Sequence, residues 1–179
     1  MKGVIFNVVE ETISELFDAD TWDDLLDDAE LDGAYTALGD YADTELLAIV
    51  GAACRATGMS AEEVLRTVGH HALPKLAARV PDATSGAPDA LSFIRKVNDI
   101  IHPEVLKIYP DSIPPAFDFE EHADGLVVQY RSARNLPALA AGLLSGVSLL
   151  FDEEITVQSL PASPSDKPRF LVTASPRNE

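Results

Sequence analysis

Two short fragments hold the side chains best suited to chemistry: Ile101-His102-Pro103-Glu104-Val105 and Tyr130-Arg131-Ser132-Ala133-Arg134. The first offers one imidazole on an apolar helix face. The second offers a phenol, a hydroxyl and a guanidinium at alternate positions. In a strand, residues i, i+2 and i+4 point to one side, so Tyr130, Ser132 and Arg134 are expected to converge on one target. Three such donors suit carboxylates. One neutral nitrogen ligand plus a carboxylate clamp is what a haem with two propionates requires. Each fragment alone is a weak signal. A single histidine among Leu91, Asn98, Val105, Leu106 and Tyr109 commonly serves as a core residue bonded to a carbonyl. Alternating polar residues on a strand commonly mark a solvated face.

These residues must be positioned by elements that the sequence outlines. Apolar residues at Ile5, Val8, Val9, Ile13, Leu16 and Phe17 have helical spacing over 4–17. Asp20 or Thr21 is expected to cap a second helix through Trp22, Leu25 and Leu26. Asp43-Thr44-Glu45 opens a third, which runs to Gly58. Ser60-Ala61-Glu62-Glu63 is a capping box that starts a fourth, and Gly69 or Pro74 is expected to end or bend it. Residues 81–87 read as a loop. Pro88 fits the first turn of a helix running to about His102 and, bent, to Tyr109. Pro103 lacks an amide proton and disfavours the helical conformation at the residue before it, so the helix is expected to loosen at His102 itself.

After Pro110, Pro114 and Pro115 the pattern changes. Residues 116–120 and 126–132 read as strands joined through Ala123-Asp124-Gly125. Residues 137–151 return to helical spacing. Residues 155–160 and 169–174 read as two further strands, linked by the Pro- and Ser-rich stretch 161–168. Helices followed by an antiparallel sheet with one inserted helix predict an α+β fold.

Composition narrows the classes of function. A chain of 179 residues is expected to form one domain with a sizeable core. It has no apolar run of about 18 residues that would span a membrane, and its N-terminus does not read as a signal peptide. Cys54 is the only cysteine, so no internal disulfide framework is possible and the cytoplasm is the expected compartment. The net charge is -17, and residues 1–50 carry -13 of it, with 14 acidic residues against Lys2 alone. Nucleic acid and anionic membranes are therefore poor partners. The acidic segment reads as a solvated face or as a docking surface for a basic protein.

The two fragments do not stand alone. Met1-Lys2-Gly3-Val4-Ile5-Phe6, Trp22, Thr57-Gly58-Met59-Ser60, Glu63-Val64-Leu65, Gly69, His102-Pro103-Glu104-Val105, Tyr109-Pro110, Pro114-Pro115-Ala116-Phe117, Tyr130 to Arg134 and Gly142-Leu143-Leu144 follow one another in a characteristic order. That order resembles the H-NOX family, the haem nitric oxide/oxygen binding domains similar to the haem domain of soluble guanylate cyclase. The resemblance covers nearly the whole chain. The histidine with the Tyr-x-Ser-x-Arg triplet is its specific part. Val68 and Pro74 depart from the commonest pattern.

The resemblance implies haem b (iron protoporphyrin IX), held without covalent attachment, with His102 as the proximal ligand to iron. Tyr130, Ser132 and Arg134 would clamp the propionates. Pro115 would pack against the porphyrin and help distort it, and Ile5 would contribute a second apolar contact. It implies a single domain over 1–179, with a helical subdomain (about 1–80), a helix-and-sheet subdomain (about 88–179), and haem between them. Family members that hold O2 use a tyrosine hydroxyl on the helix after the clamp. Here that helix lacks tyrosine, and Ala140 is expected at the matching place. The resemblance therefore implies a gas sensor for NO and CO with little O2 affinity, unless His70 or His71 supplies a donor.

In the family, NO can break the iron–histidine bond, which would free the His102 helix to shift. With no kinase, cyclase or coiled-coil segment in the given sequence, either the output would pass in trans to a partner such as a histidine kinase or a cyclic-di-GMP enzyme, as in bacterial relatives, or the sequence is a fragment of a longer chain. No nucleophile–base pair or bare-metal cluster stands out, so an enzyme is not expected. Two rival readings remain: a haem-free interaction module using the acidic face, and an O2-binding haem sensor. Colour and a gas-titrated spectrum separate them.

Overall fold

The computed structural model describes residues 1–161 and 167–177. Eight helices and a four-stranded antiparallel sheet make an α+β fold. The helices α1 (Gly3–Leu16), α2 (Ala19–Asp28), α3 (Asp43–Thr57) and α4 (Ala61–Ala78) come first. Local sequence explains their boundaries. Ser60 Oγ accepts the Glu63 amide while Glu63 accepts the Ser60 amide at 2.8 Å, the reciprocal cap expected at the start of α4. The cap of α2 is Asp18, whose carboxylate accepts the Thr21 amide at 2.7 Å, rather than Asp20 or Thr21. Gly58 ends α3 with φ of 75°, a left-handed value that costs glycine little.

Helix α4 runs through both expected breaks to Ala78. Pro74 cannot donate to the carbonyl of His70, but that carbonyl instead lies against Gly146 of α8 (Pro137–Gly146), where any β-carbon would stand 2.3 Å away. Three glycines keep α4 and α8 at backbone contact. Gly69 faces Leu139 and Leu143, Gly142 faces the Arg66 carbonyl, and Gly146 faces His70.

The short helices α5 (Pro81–Thr84), α6 (Ala90–Arg95) and α7 (His102–Ile108) follow α4. Asp89 caps α6 by accepting the Ser92 amide, so Pro88 precedes the cap instead of opening the first turn. Residues 97–101 form a π-turn between α6 and α7. The amides of Ile101 and His102 reach five residues back, to Lys96 and Val97. The proline ring at 103 would clash with a regular helical carbonyl four residues earlier, and one extra residue in the turn relieves it. The expected loosening thus falls in the turn before His102. His102 keeps ordinary helical angles, φ -63° and ψ -38°.

The sheet has strand order β1-β2-β4-β3. Strands β1 (Ala116–His122) and β2 (Gly125–Arg131) form a hairpin with His122 opposite Gly125, so Ala123 and Asp124 make the turn and Gly125 already belongs to the strand. A β-carbon at Gly125 would sit 2.2 Å from the Val172 carbonyl, which explains the glycine. Strands β3 (Glu153–Ser159) and β4 (Arg169–Pro176) complete the sheet. The connection expected at 161–168 falls mostly outside the described residues.

Two apolar clusters result. One gathers Phe6, Trp22, Leu46, Ile49 and Leu65 from α1 to α4. The other gathers Phe93, Ile94, Leu126, Val128, Leu144 and Phe170 from α6, α8 and the sheet. Among the described residues, no helix is long and apolar enough to cross a membrane.

Candidate functional site

His102 opens α7 and is mostly shielded from water. Burial alone lowers its pKa to about 4, because the charged imidazolium loses hydration with nothing to replace it. The ring is therefore neutral near pH 7, with no hydrogen-bond partner among the described residues. Its nearest aromatic neighbour is Phe117, at 6.2 Å between ring centroids and 29° between planes. The residue is half-buried, and its ring nitrogens do not count among the fully buried polar atoms without a partner. A neutral, largely desolvated imidazole is suited to hold a metal.

Phe117 links the histidine to the rest of the site. On the hairpin it lies opposite Tyr130, with ring centroids 5.9 Å apart. It is also fixed to the π-turn. The Asn98 side chain donates to the Phe117 carbonyl and accepts the Phe117 amide at 3.1 Å. Asn98 was visible in the sequence as the one polar neighbour on the apolar His102 face, but its partner lies in a strand no local pattern connects to it.

The three clamp candidates do not share one strand face. Strand β2 ends at Arg131, so Ser132 and Arg134 do not alternate along a strand. Ser132 Oγ accepts the Arg134 amide at 3.2 Å, and Asn135 takes φ of 50°, which turns the chain. The buried Tyr130 hydroxyl accepts the Leu136 amide at 3.2 Å, holding the far side of that turn. The turn delivers Arg134 to α3 and to the segment before β1. Its Nε donates to Asp43 at 3.1 Å and its Nη1 to the Ile113 carbonyl at 2.6 Å.

Asp43 also receives the chain's own ammonium group, Met1 N, at 3.1 Å. Burial pushes the Asp43 carboxyl up, but the hydrogen bonds and charges of Met1 and Arg134 outweigh it and hold the group below the usual carboxylate range. The sequence marked Asp43 only as a helix opener. Its pairing with Arg134 spans 91 residues and carries no local signal.

Pro115 is half-buried and directly precedes β1, two residues from both Ile113 and Phe117. Ile5 is half-buried on α1, four residues from Met1. Ser112, in the same segment as Pro115, has a buried hydroxyl with no partner. Ala140 does not stand where the sequence analysis expected. It is 4% exposed within the second cluster, with Ala141, Leu144 and Val147, while Leu139 packs on the first. One residue on a helix turns a side chain by about 100°, so the face of α8 toward α1–α4 is carried by Leu139. Neither residue is a hydrogen-bond donor.

His70 and His71 were the other possible donors. His70 Nδ1 lies 2.9 Å from Ser145 Oγ, and Ser145 itself donates to the Gly142 carbonyl at 2.8 Å. Burial, and then His71, lower the His70 pKa, so it is neutral and has one N–H. With the Ser145 proton already committed, that N–H belongs to the Ser145 bond. Sequence reasoning set Ser145 aside as a hydroxyl on another face; the structure pairs it with His70.

The donor set fits a metal-bearing macrocycle with acidic side arms better than a bare ion. Among the described residues no group of three or more His, Cys, Asp or Glu side chains could hold a metal ion. One imidazole can contribute a single ligand, so the remaining ligands would have to come from the cofactor. Tyr130 and Ser132 each accept a backbone amide and keep their own hydroxyl proton to donate. The Arg134 guanidinium has N–H groups beyond the two engaged by Asp43 and Ile113.

Known proteins resemble the chain in sequence and in fold. Residues 2–159 match the family model described as haem-NO-binding. The H-NOX protein from Shewanella oneidensis in the Fe(II)NO state is similar in structure, with 27% identity, a TM-score of 0.88, and coverage of 98% of this chain and 99% of that one. The same protein in the Fe(II)CO state matches with a TM-score of 0.85 and 27% identity, covering 98% of this chain and 99% of that one. Fe(II) unliganded H-NOX from K. algicida matches at 25% identity and a TM-score of 0.83, covering 98% of this chain and 97% of that one. No curated protein sequence matches the chain.

Proposed function

Since the chain belongs to the haem-NO-binding (H-NOX) family, whose cofactor is haem, iron protoporphyrin IX, we propose that it is a gas sensor for NO and CO with little O2 affinity, acting on a partner protein in trans. The observation that supports this best is the pairing of a desolvated, unpartnered His102 with a neighbouring set of hydroxyl and guanidinium donors not fully used by the protein. When bound, ferrous haem supplies one open coordination position for a diatomic gas. His102 would hold the iron, and Tyr130, Ser132 and Arg134 would bind the propionates. Pro115 and Ile5 would supply apolar contacts to the ring.

The protein's own contribution to signalling lies around His102. The π-turn before it, which accommodates the Pro103 ring, leaves a weak point where the chain enters α7. Asn98 bonds both polar atoms of the Phe117 backbone. A displaced His102 helix must therefore carry β1 with it or break that double bond, which couples the histidine to the sheet. The acidic segment 1–50 favours a partner with a basic surface. The partner classes that the family resemblance implies are a bacterial histidine kinase or a cyclic-di-GMP enzyme in the cytoplasm.

Gas selectivity follows from the donors. Bound O2 carries partial negative charge and needs a hydrogen bond, which NO and CO need far less. Leu139 and Ala140 offer none, and the His70 and Ser145 protons are engaged. Absorption spectra of the reduced protein under argon, NO, CO and air test the reading. The expected result is distinct NO and CO spectra and no lasting oxy spectrum in air. A persistent oxy form would overturn the selectivity, and a chain that takes up no haem would overturn the whole proposal.

The clamp has its own test. Arg134→Ala is expected to speed haem loss by roughly five- to thirtyfold, equivalent to about 1–2 kcal/mol for a charged hydrogen-bonding partner that is partly solvent-screened. Haem transfer to excess apomyoglobin measures it, and an unchanged rate would remove Arg134 from the site.

A further inference from the structure

We propose that the hydroxyl of Ser112 is a further donor of the carboxylate-binding site, turned onto a haem propionate when the cofactor binds. The inference rests on the haem reading above. It adds Ser112 to the residues that hold the side arms of the ring.

The segment between α7 and β1 is pinned along its length. The Tyr109 carbonyl accepts the Ser112 amide at 3.0 Å, which closes a turn directly on the end of the His102 helix. The Ile113 carbonyl accepts Arg134 Nη1 at 2.6 Å. Asn98 then holds both polar backbone groups of Phe117. Pro110, Pro114 and Pro115 fix their own φ angles and restrict the residues before them, so the segment has little slack. Ser112 lies between the first two pins. It is the chain neighbour of Ile113, whose carbonyl holds the clamp arginine.

Its hydroxyl is the odd group in this segment. Ser112 as a whole is half-buried, but its Oγ is covered. Among the described residues it is the one fully buried side-chain polar atom with no hydrogen-bond partner. Most buried hydroxyls are bonded, because a stranded one loses its water without replacement. A serine in a turn commonly bonds a nearby backbone group, as Ser132 does two residues onward. Ser112 does not. Its amide closes the turn and its hydroxyl is left over, so alanine would make the same turn.

A stranded hydroxyl that adds nothing to the turn points to an acceptor that arrives with a ligand. The neighbouring guanidinium selects an anion, and it has N–H groups beyond those taken by Asp43 and Ile113. A carboxylate offers two oxygens with about four lone-pair sites, so one propionate can accept from Arg134 and Ser112 together. Rotation about the Cα–Cβ bond re-aims the Oγ between staggered positions without moving the pinned backbone. An internal water would also satisfy the hydroxyl, and the test separates the two.

Ser112→Ala supplies that test, because the haem-free and haem-loaded proteins should respond with opposite sign. In the haem-free protein it removes a stranded hydroxyl and is expected to raise the thermal unfolding midpoint by about 2–5 °C. In the loaded protein it removes a donor to a charged acceptor and is expected to speed haem transfer to apomyoglobin roughly three- to tenfold. Loading both proteins with haem dimethyl ester, whose side arms carry no charge, is expected to shrink the difference below about twofold. Equal acceleration with haem and with its ester would overturn the proposal, since Ser112 would then act through packing. Unchanged haem loss would overturn it and leave the hydroxyl to a water. A haem-free midpoint that does not rise would overturn it as well, since the hydroxyl would already have a partner. If the native chain took up neither haem nor ester, the haem reading itself would fail, and this inference with it. That outcome is distinct from haem bound normally and lost no faster by the variant.

Discussion

His102→Gly is expected to yield protein that folds, loses haem during purification, and regains it when imidazole is added. The effect should be the largest of any single substitution at the site, because no second side chain is poised to replace the ligand. His70 is tied to Ser145, and His122 lies exposed at the hairpin, beside Asp124. A tethered ligand acts at a high effective concentration, so free imidazole should be needed at roughly millimolar levels or above to substitute for it. Haem content and the absorption spectrum, with and without imidazole, give the answer. Normal haem retention in its absence would sink the assignment.

The same residue should behave differently in the haem-free protein. Partial loss of hydration at the half-buried His102 ring is a small cost to folding. Its packing on Phe117 offsets part of that cost. His102→Ala, which avoids the helix penalty of glycine, should therefore unfold within about 1 kcal/mol of the haem-free parent. A residue whose loss abolishes cofactor binding yet barely disturbs the apo fold is one kept for chemistry.

How far the sequence could be read depends on how local each cause is. The Ser60–Glu63 cap, the start of α3 and the hairpin from 116 to 131 rest on neighbours in the chain, and the structure has them. The α+β order was legible too, though the turn after Arg131 was not. Its cause is a serine hydroxyl bonding two residues onward, which competes with the strand. Pro74 was misread because α4 is held there by packing on another helix, with Gly146 of α8 against the His70 carbonyl, and that packing leaves no local signal. Ala140 was assigned the wrong face by one residue, a rotation that helical periodicity does not forgive. Asp43 was missed because its pairing with Arg134 exists only once α3 and the clamp turn are side by side.

Gly142→Ala is expected to destabilise the protein strongly, against the ordinary preference of helices for alanine. In an isolated helix this change would gain about 1 kcal/mol. Here the new β-carbon would stand 2.3 Å from the Arg66 carbonyl oxygen and 2.9 Å from the Arg66 Cα. Both are backbone atoms of α4, so no side chain can swing away. The helices would have to part, and their separation would loosen the neighbouring contacts of Gly69 with Leu139 and of Gly146 with His70. Overpacking against fixed atoms costs about 1–3 kcal/mol and occasionally more, and the loss should lie at the upper end of that range. For a chain of this size it lowers the unfolding midpoint by roughly 5–10 °C. Gly51→Ala is the internal control. It lies in α3, where the added methyl meets only the flexible end of Arg55 at 3.5 Å, so the helix preference should prevail and raise stability. Opposite signs for one chemical change are the expected outcome in thermal unfolding. If Gly142→Ala matched Gly51→Ala, the α4 and α8 backbones would not be in contact, and the stranded carbonyl of His70 would need another partner.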